Sequence, residues 1–415
     1  MADDLGYGDL GSYGQRYIKT PQLDRMARQG IRFTQFYAAS PVCAPSRASF
    51  MTGQHQGHAH IRGNTSLKRE RVPLRPGDIT IAEILKGAGY RTGVIGKWGL
   101  GEPGTSGIPN RQGFDYWFGY LNQGHAHNYY PDYLWRNEEQ VSLKQGTYSH
   151  DLFTAEALEF IRRERMAPFF LYLAYTIPHA NNELGRETGN GMQVPDDSPY
   201  TIEPWSPQQK NYAAMVTRLD ADVGKILALL ADLNLDQNTL VLFTTDNGPQ
   251  GLDEGGYDLK LFGSNGPFRG QKRDLYEGGI RVPLIARWPA RIKPGQVSDH
   301  IWTQWDFLAT AADLVGLKPP PESDGMSMSR ALLGRRQKGH KYVYFEFHEP
   351  TFAQALRMGR WKAVRRGPNA PVELFDLQTD IAEQKDLSLA HPQLVSQMIE
   401  LMTHEHIESE HWPTL

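Results

Sequence analysis

Four nearly unbroken apolar runs constrain the fold of this 415-residue chain more than any other feature. Such runs are typical of strands buried on both faces of a sheet, and they occupy 91–99 (RTGVIGKWG), 168–180 (PFFLYLAYTIPHA), 239–249 (TLVLFTTDNGP) and 281–289 (RVPLIARWP). Amphipathic helical patterns alternate with them, at 20–30, 80–89, 149–165 and 206–233. The alternation predicts an α/β fold, with a large, mostly parallel or mixed sheet flanked by helices. In the first helix, Thr20 is the expected N-cap and Pro21 the first helical residue.

Three of the runs end in polar side chains that are capable of chemistry. Lys97 closes the first run, His179 the second, and Asp246 with Asn247 the third. Ligands in open α/β sheets bind beyond the carboxyl ends of the strands. We therefore expect these four side chains to converge, although they are far apart in the sequence.

The character of the sequence changes after the Pro-rich stretch 318–327 (KPPPESDGMS), which indicates a linker. Short segments with strand patterns follow, and the chain closes with a helical pattern. This predicts a smaller antiparallel sheet with one terminal helix. The expected division is a catalytic α/β domain over 1–334 and a small α+β subdomain over 335–415.

Composition excludes several classes of function. The formal net charge of −3 lacks the basic footprint of a nucleic-acid-binding protein. No apolar run is long enough to cross a bilayer. Cys43 is the only cysteine, which excludes an intramolecular disulfide framework and a cysteine-based zinc site.

Two polar pairs are candidates for binding a cation. Asp3 and Asp4 stand near the start of the chain, and Asp246 and Asn247 follow an apolar run. Carboxylate and amide oxygens are the ligands that Ca²⁺ and Mg²⁺ prefer. Each pair alone is equally typical of a solvated turn, but together they offer four oxygen ligands.

Cys43 has surroundings that suit a reactive group. Pro45 indicates a first helical turn, so the thiol is expected just before a helix N-terminus, where anions are favoured, and Arg47 falls within that turn. A thiol near an arginine and a metal is a reactive one, whereas the alternative is a small buried apolar residue. The corresponding alternatives for Lys97 and Lys272 are solvated surface lysines, and for His179 a core histidine.

Several blocks of the sequence resemble the type I sulfatases. CAPSRASFMTG matches that family's Cys-x-Pro-Ser-Arg signature, followed by its Thr-Gly. ADDLGYGDLGSYG, GYRTGVIGKWGLG, FTTDNGP and FRGQKRDLYEGGIRVPLI resemble its other blocks, in the family's order. The resemblance covers nearly the whole chain and implies an alkaline-phosphatase-like α/β fold.

The resemblance implies a role for the single cysteine. In this family a separate formylglycine-generating enzyme acts on the unfolded chain and oxidises the signature cysteine to Cα-formylglycine. One hydroxyl of the hydrated aldehyde attacks sulfur and the alcohol leaves, and the second hydroxyl then allows sulfate to be expelled. Cys43 is the residue expected to be converted.

The other roles follow from the same resemblance. One Ca²⁺ is expected to be held by Asp3, Asp4, Asp246 and Asn247, with residue 43 completing the shell. Arg47 resembles the residue that holds the formylglycine hydroxyl. Lys97 and Lys272 resemble the lysines that grip the sulfate, and His179 the general acid that protonates the leaving oxygen.

The sequence departs from the family pattern in two places. Gly99 stands where most relatives have a histidine, and His125 and His127 are equally consistent with replacing that histidine and with lining the sugar pocket. The apolar strand that precedes Asp3 in relatives is represented only by Met1 and Ala2. We expect the natural gene to encode this strand and a secretory signal upstream, so that the protein is periplasmic or secreted.

The expected activity is hydrolysis of a sulfate ester on a carbohydrate, with a galactose-type sugar favoured over an aryl or steroid sulfate. One alternative is a phosphoester or phosphonate hydrolase of the same superfamily. The other is a protein that binds sulfated glycans without turnover, which would follow if Cys43 is not converted.

Overall fold

The computed structural model describes residues 1–414. Its helices are α1 (Pro21–Gln29), α2 (Cys43–Thr52), α3 (Ile81–Gly87), α4 (Ser149–Glu164), α5 (Asn182–Thr188), α6 (Pro207–Asp232), α7 (Leu259–Phe262), α8 (Glu277–Ile280), α9 (Asp306–Leu314), α10 (Ser329–Leu332) and α11 (Pro392–Glu405). Its strands are β1 (Ile31–Tyr37), β2 (Arg91–Lys97), β3 (Tyr116–Tyr120), β4 (Tyr133–Arg136), β5 (Glu139–Ser142), β6 (Phe169–Ala174), β7 (Val241–Thr244), β8 (Arg281–Arg287), β9 (Gln296–Ser298), β10 (Trp302–Thr303), β11 (Val343–Phe347), β12 (Ala353–Met358), β13 (Trp361–Arg365) and β14 (Val372–Asp376).

The four apolar runs form strands, as predicted: they are β2, β6, β7 and β8. One sheet has the order β5-β4-β3-β2-β6, with β2 parallel to both β3 and β6. A second has the order β10-β1-β8-β7, with β9 also paired to β1, and β8 runs antiparallel to both of its neighbours. The fold is therefore mixed α/β.

Met1 and Ala2 lie between the two sheets and join them. The amino group of Met1 donates to the Leu173 carbonyl at the end of β6, at 2.8 Å. The amide of Ala2 donates to the Thr244 carbonyl at the end of β7, also at 2.8 Å, and Ala2 forms a parallel bridge with Thr245. This connection places Asp3 and Asp4 beside the carboxyl ends of β6 and β7.

Helices bury both faces of the sheet. On β2, Val94 and its neighbour Ile95 belong to different apolar cores, because successive strand residues point to opposite faces. The Ile95 core includes residues of α1, α4 and α6, and the Val94 core includes residues of α2, α3 and α9. No helix among the described residues 1–414 has the length and apolar character needed to span a membrane.

Helix α1 begins where the sequence predicted, with Thr20 as the N-cap residue and Pro21 as the first helical residue, but a distant side chain accepts from its first amides. The Thr20 side chain makes no capping hydrogen bond there. Instead, the Asp220 carboxylate of α6 accepts from the amides of Gln22 (3.1 Å) and Leu23 (2.7 Å). A negative charge at a helix N-terminus is favourable, whichever part of the chain supplies it.

The C-terminal segment forms the predicted antiparallel sheet and helix. Its sheet has the order β11-β12-β13-β14, and Met398 and Met402 of α11 pack against one face of it. The other face buries Phe345 against Tyr37 and Trp305. The division at residue 334 stays a prediction. The Pro-rich stretch is packed rather than free, since the amide of Asp324 donates to the Gly53 carbonyl at 2.9 Å.

Candidate active site

Three carboxylates and three cationic side chains converge at the carboxyl ends of β2, β6 and β7. The carboxylates belong to Asp3, Asp4 and Asp246, and the cations to Arg47, Lys97 and Lys272. All six residues are buried. Because charges of both signs are present in equal number, the cluster is close to electrically neutral.

The two polar pairs predicted as cation ligands lie side by side. The amide of Asp4 donates to Asp246 Oδ1 at 3.2 Å, and Asn247 Nδ2 donates to Asp4 Oδ1 at 2.6 Å. The contact follows from the fold, because the bridge from Ala2 to Thr245 aligns the residues that follow each.

Cys43 is the first residue of α2, and Val42 is the N-cap. The helix thus begins one residue earlier than the sequence suggested, which had placed Cys43 just before it. Its Sγ lies 3.4 Å from Asp3 Oδ1, and the residue is 2% exposed. Burial raises the pKa of the thiol well above its ordinary value, and the Asp3 carboxylate raises it further. These side chains by themselves therefore hold the unmodified thiol neutral, and the reactivity expected of a thiol beside a metal stays a prediction.

Arg47 is a fixed element of the cluster. Its Nε and Nη2 donate to Asp246 Oδ2 at 3.0 and 2.8 Å, and its Nη1 donates to the Lys97 carbonyl at 2.7 Å. One side chain thus ties α2 to the end of β2 and to the segment after β7.

Each of the two lysines forms an ion pair with a different one of the adjacent residues Asp3 and Asp4. Lys97 Nζ lies 2.6 Å from Asp3 Oδ2, and Lys272 Nζ lies 2.7 Å from Asp4 Oδ2. Burial by itself lowers the pKa of Lys272, but the Asp4 carboxylate outweighs it and holds the pKa above its usual range. Both lysines are therefore cationic donors within the site rather than surface residues.

His179 faces Lys272 through one defined ring nitrogen. Its Nδ1 lies 2.5 Å from the Ala180 carbonyl, which can only accept, so Nδ1 carries a proton. Its Nε2 lies 3.0 Å from Lys272 Nζ and 3.4 Å from Asp4 Oδ2. Burial, reinforced by the charge of Lys272, lowers the pKa of His179 well below its ordinary value.

The structure separates the two other candidate histidines. The ring of His127 stacks on that of His179, with centroids 4.8 Å apart. The ring of His125 instead packs between Tyr120 and Tyr133, at 4.9 and 4.5 Å. His127 is thus part of the cluster's immediate surroundings, whereas the observed ring contacts of His125 are with tyrosines.

The sequence analysis did not identify a row of ion pairs beside Lys272, which joins Glu254, Arg273 and Glu349. Arg273 has a left-handed backbone (φ 75°), which is uncommon for a residue other than glycine. Its Nε donates to Glu254, and its Nη1 lies 2.8 Å from Glu349 Oε2 in the C-terminal segment. The unusual φ, which no sequence pattern signals, is the feature that marks this position.

The donor set fits a hard divalent cation. Asn247 Oδ1 is buried and has no hydrogen-bond partner among residues 1–414. One ligand atom from each of Asp3, Asp4, Cys43 and His179 lies within 4.8 Å of the others. Buried carboxylates beside a free amide oxygen are a calcium-like environment, and a divalent cation would give the neutral cluster the positive charge that attracts an anion.

Comparison with known proteins identifies the class. The sulfatase family model matches residues 1–317, and the model described as N-sulphoglucosamine sulphohydrolase, C-terminal, matches residues 265–409. The solved structure of Ps i-CgsB in complex with k-i-k-neocarrahexaose superimposes with a TM-score of 0.86 at 30% identity, over 100% of this chain and 94% of that one.

Two relatives are named for their activities. The N-acetylgalactosamine-6-sulfatase of Canis lupus familiaris is 35% identical over 391 residues, which cover 88% of this chain and 70% of that protein. The N-acetylgalactosamine-6-O-sulfatase of Bacteroides thetaiotaomicron is 28% identical over 492 residues, covering 97% and 91%.

The fold and the acidic cluster thus define a hydrolase with the alkaline-phosphatase-like α/β fold. Within that class, the chain belongs to the sulfatase family and is a sulfuric ester hydrolase. The family assignment from the sequence is confirmed.

Proposed function

We propose that this sulfatase removes sulfate from a carbohydrate, with N-acetylgalactosamine 6-sulfate as the first candidate substrate. Two relatives that align with 88% and 97% of this chain carry that specificity in their names. A galactose-type sugar is also what the sequence favoured. The observation that carries the chemistry is the convergence of Lys97, Lys272 and His179 on the acids beside residue 43.

We infer that residue 43 acts as formylglycine and that Asp3, Asp4, Asp246 and Asn247 hold one Ca²⁺. Together these groups would supply an acidified hydroxyl as nucleophile and would offset charge on the sulfate oxygens. Their placement beside the Cys43 side chain supports this assignment.

The protein's own side chains have separable tasks in this proposal. Lys97 and Lys272 donate to the sulfuryl oxygens, where negative charge redistributes in the transition state. Arg47, fixed by Asp246, holds the side chain of residue 43 in place. His179 directs Nε2 at the leaving oxygen, since its Nδ1 is committed to the Ala180 carbonyl. Nε2 first takes up a proton from solvent, which the negative charge of a bound sulfate ester favours, and then passes it to that oxygen.

The burial of Cys43 supports modification before folding. A side chain that is 2% exposed is closed to a second enzyme, so a formylglycine-generating enzyme must act on the unfolded chain. We further propose the division into a catalytic domain (1–334) and a small subdomain (335–415), and a periplasmic or secreted location.

The test is sulfate release from a panel of sulfated monosaccharides of defined position, including N-acetylgalactosamine 6-sulfate and galactose 6-sulfate, with Cys43→Ala as the matched inactive control. We expect the wild type to act on a galactose-type 6-sulfate and the variant to release none. Nitrophenyl sulfate and nitrophenyl phosphate, run in parallel, test the phosphoester alternative. The proposal would be overturned if no sugar in the panel released sulfate and if nitrophenyl phosphate were cleaved faster than nitrophenyl sulfate.

A further inference from the structure

Gln123 has a buried side chain whose hydrogen-bonding capacity is unused. The residue is 7% exposed, and neither Nε2 nor Oε1 has a partner within residues 1–414. Buried polar side chains in proteins are nearly always hydrogen-bonded. A carboxamide with both ends free has the capacity to pair with a group that offers both an acceptor and a donor.

The side chain occupies the volume above Gly99. A Cβ built on Gly99 would lie 2.1 Å from Gln123 Nε2 and 2.7 Å from its Cδ. The backbone of Gly99 is also left-handed, with φ at 76°. A larger residue at position 99 would strain the backbone and would require the carboxamide to move, so the glycine leaves room for Gln123 in its observed position.

Both ends of the loop that carries Gln123 contact the active site. Before the loop, Tyr120 pairs with Lys97, and Gly99 donates to the Leu121 carbonyl at 3.0 Å. After it, His127 stacks on His179. Gln123 lies between these contacts, and Gly99 lies two positions beyond the sulfate-gripping Lys97.

We propose that Gln123 is a substrate-binding residue whose carboxamide donates to an oxygen of the sulfate ester and accepts from a neighbouring hydroxyl of the sugar. This rests on the proposed function. Since a carboxamide does not ionise at neutral pH, its contribution is to orient the ester and not to transfer a proton.

Gln112 provides a matched comparison within the same chain. It is also buried, but its Nε2 donates to the carbonyls of Ser106 (3.0 Å) and Arg75 (3.3 Å). Its Nε2 is used inside the protein although its Oε1 has no partner among residues 1–414, whereas neither end of the Gln123 carboxamide is used. Removal of the two amides should therefore have different consequences.

The experiment compares Gln123→Met, Gln123→Glu and Gln112→Met with the wild type on N-acetylgalactosamine 6-sulfate. Methionine keeps the length of the side chain without its hydrogen bonds. We expect Q123M to raise KM by about 10- to 100-fold, the scale of a lost hydrogen bond to a charged group, with a smaller change in kcat. Q123E should raise KM further through repulsion of the sulfate. Q112M should lower Tm and leave KM unchanged.

A second readout does not depend on turnover. Inorganic sulfate should raise the Tm of the wild type more than that of Q123M, with the shift in Q123E smallest. An unchanged KM in Q123M, together with sulfate-induced shifts equal to those of the wild type, would overturn the role of Gln123. Absence of sulfate release by the wild type would instead contradict the proposed substrate, and the thermal shifts would still decide the role of Gln123.

Discussion

The imidazole ring of His127 stacks on that of His179, with the ring planes inclined by 15°. His127 Nδ1 also lies 2.9 Å from Glu183 Oε2, which fixes the ring from its outer side. Burial, together with the charge of Lys97, lowers the pKa of His127 to about 4, so the ring is neutral at pH 7. The pair is a stack of neutral rings that orients His179.

His127→Ala is expected to lower kcat/KM by about 10-fold, the scale of a lost stacking contact. His127→Phe should recover most of that loss, because it keeps the stack without the nitrogen atoms. Steady-state kinetics on a sulfated monosaccharide measure both. A loss in H127F as large as that in H127A would show that the ring nitrogens, not the stack, carry the effect.

Conversion of Cys43 has a direct signature. The peptide that contains residue 43 should be about 18 Da lighter than the sequence predicts, as follows from replacing a thiol by an aldehyde. Cys43→Ala should lower sulfate release by more than about 10³-fold, as loss of a nucleophile does. Mass spectrometry and sulfate release on the same preparation test the link. Full activity in a preparation with an unmodified peptide would refute it.

Removal of the cation should destabilise the site as well as inactivate it, because three buried carboxylates lose their divalent partner. EGTA is expected to lower Tm, and Ca²⁺ should restore it, with a stabilisation of about 2.7 kcal/mol at a hundred times Kd. Asn247→Leu should weaken the response to Ca²⁺. Asn211→Leu is the control, because Asn211, which lies on α6, donates to the Met192 carbonyl and not to the cluster. Equal responses in the two variants would contradict the assigned ligand.

A buried charge cluster between 55–65 and the C-terminal segment predicts acid sensitivity. The Glu346 carboxylate accepts from Arg62 Nη1 (2.8 Å), His348 (2.9 Å), His406 (2.9 Å) and the Tyr344 hydroxyl (2.8 Å). Burial alone raises the pKa of Glu346, but the bonds from His348 and His406, with the Arg62 charge, hold the pKa at about 2. A carboxyl whose folded pKa is lowered stabilises the protein above its unfolded pKa, and this stability is lost as the pH falls from about 4.5 towards 2.

Glu346→Gln is therefore expected to lower the free energy of unfolding by about 3 kcal/mol at pH 7. The difference from wild type should shrink as the pH approaches 3. Urea denaturation at pH 7, 4 and 3 measures it. Glu159→Gln, at an exposed position, is the control and should match the wild type throughout. A difference between E346Q and wild type that does not change with pH would exclude an electrostatic origin.

The four apolar strands and the long helix α6 could be predicted from local patterns. A continuous apolar run indicates a strand that is buried on both faces, and helical periodicity is visible within one contiguous segment. The start of α1 at Pro21 could be predicted in the same way, but the side chain that accepts from its first amides could not, since Asp220 lies on another helix. The neutral state of the Cys43 thiol was also beyond sequence reasoning. The sequence left both a reactive thiol and a small buried residue open for Cys43, and the burial that raises the pKa of the thiol is a property of the packed molecule.

The sequence by itself determined the class of fold, the family and the residue types of the site, because each is recorded in short contiguous blocks. Tertiary structure decided which of those residues act together. It separated His127 from His125, and it set Gln123 over Gly99. The physical reason is that contacts, burial and pKa arise between segments that are distant along the chain, and these meet only when the ends of β2, β6 and β7 are brought to one edge.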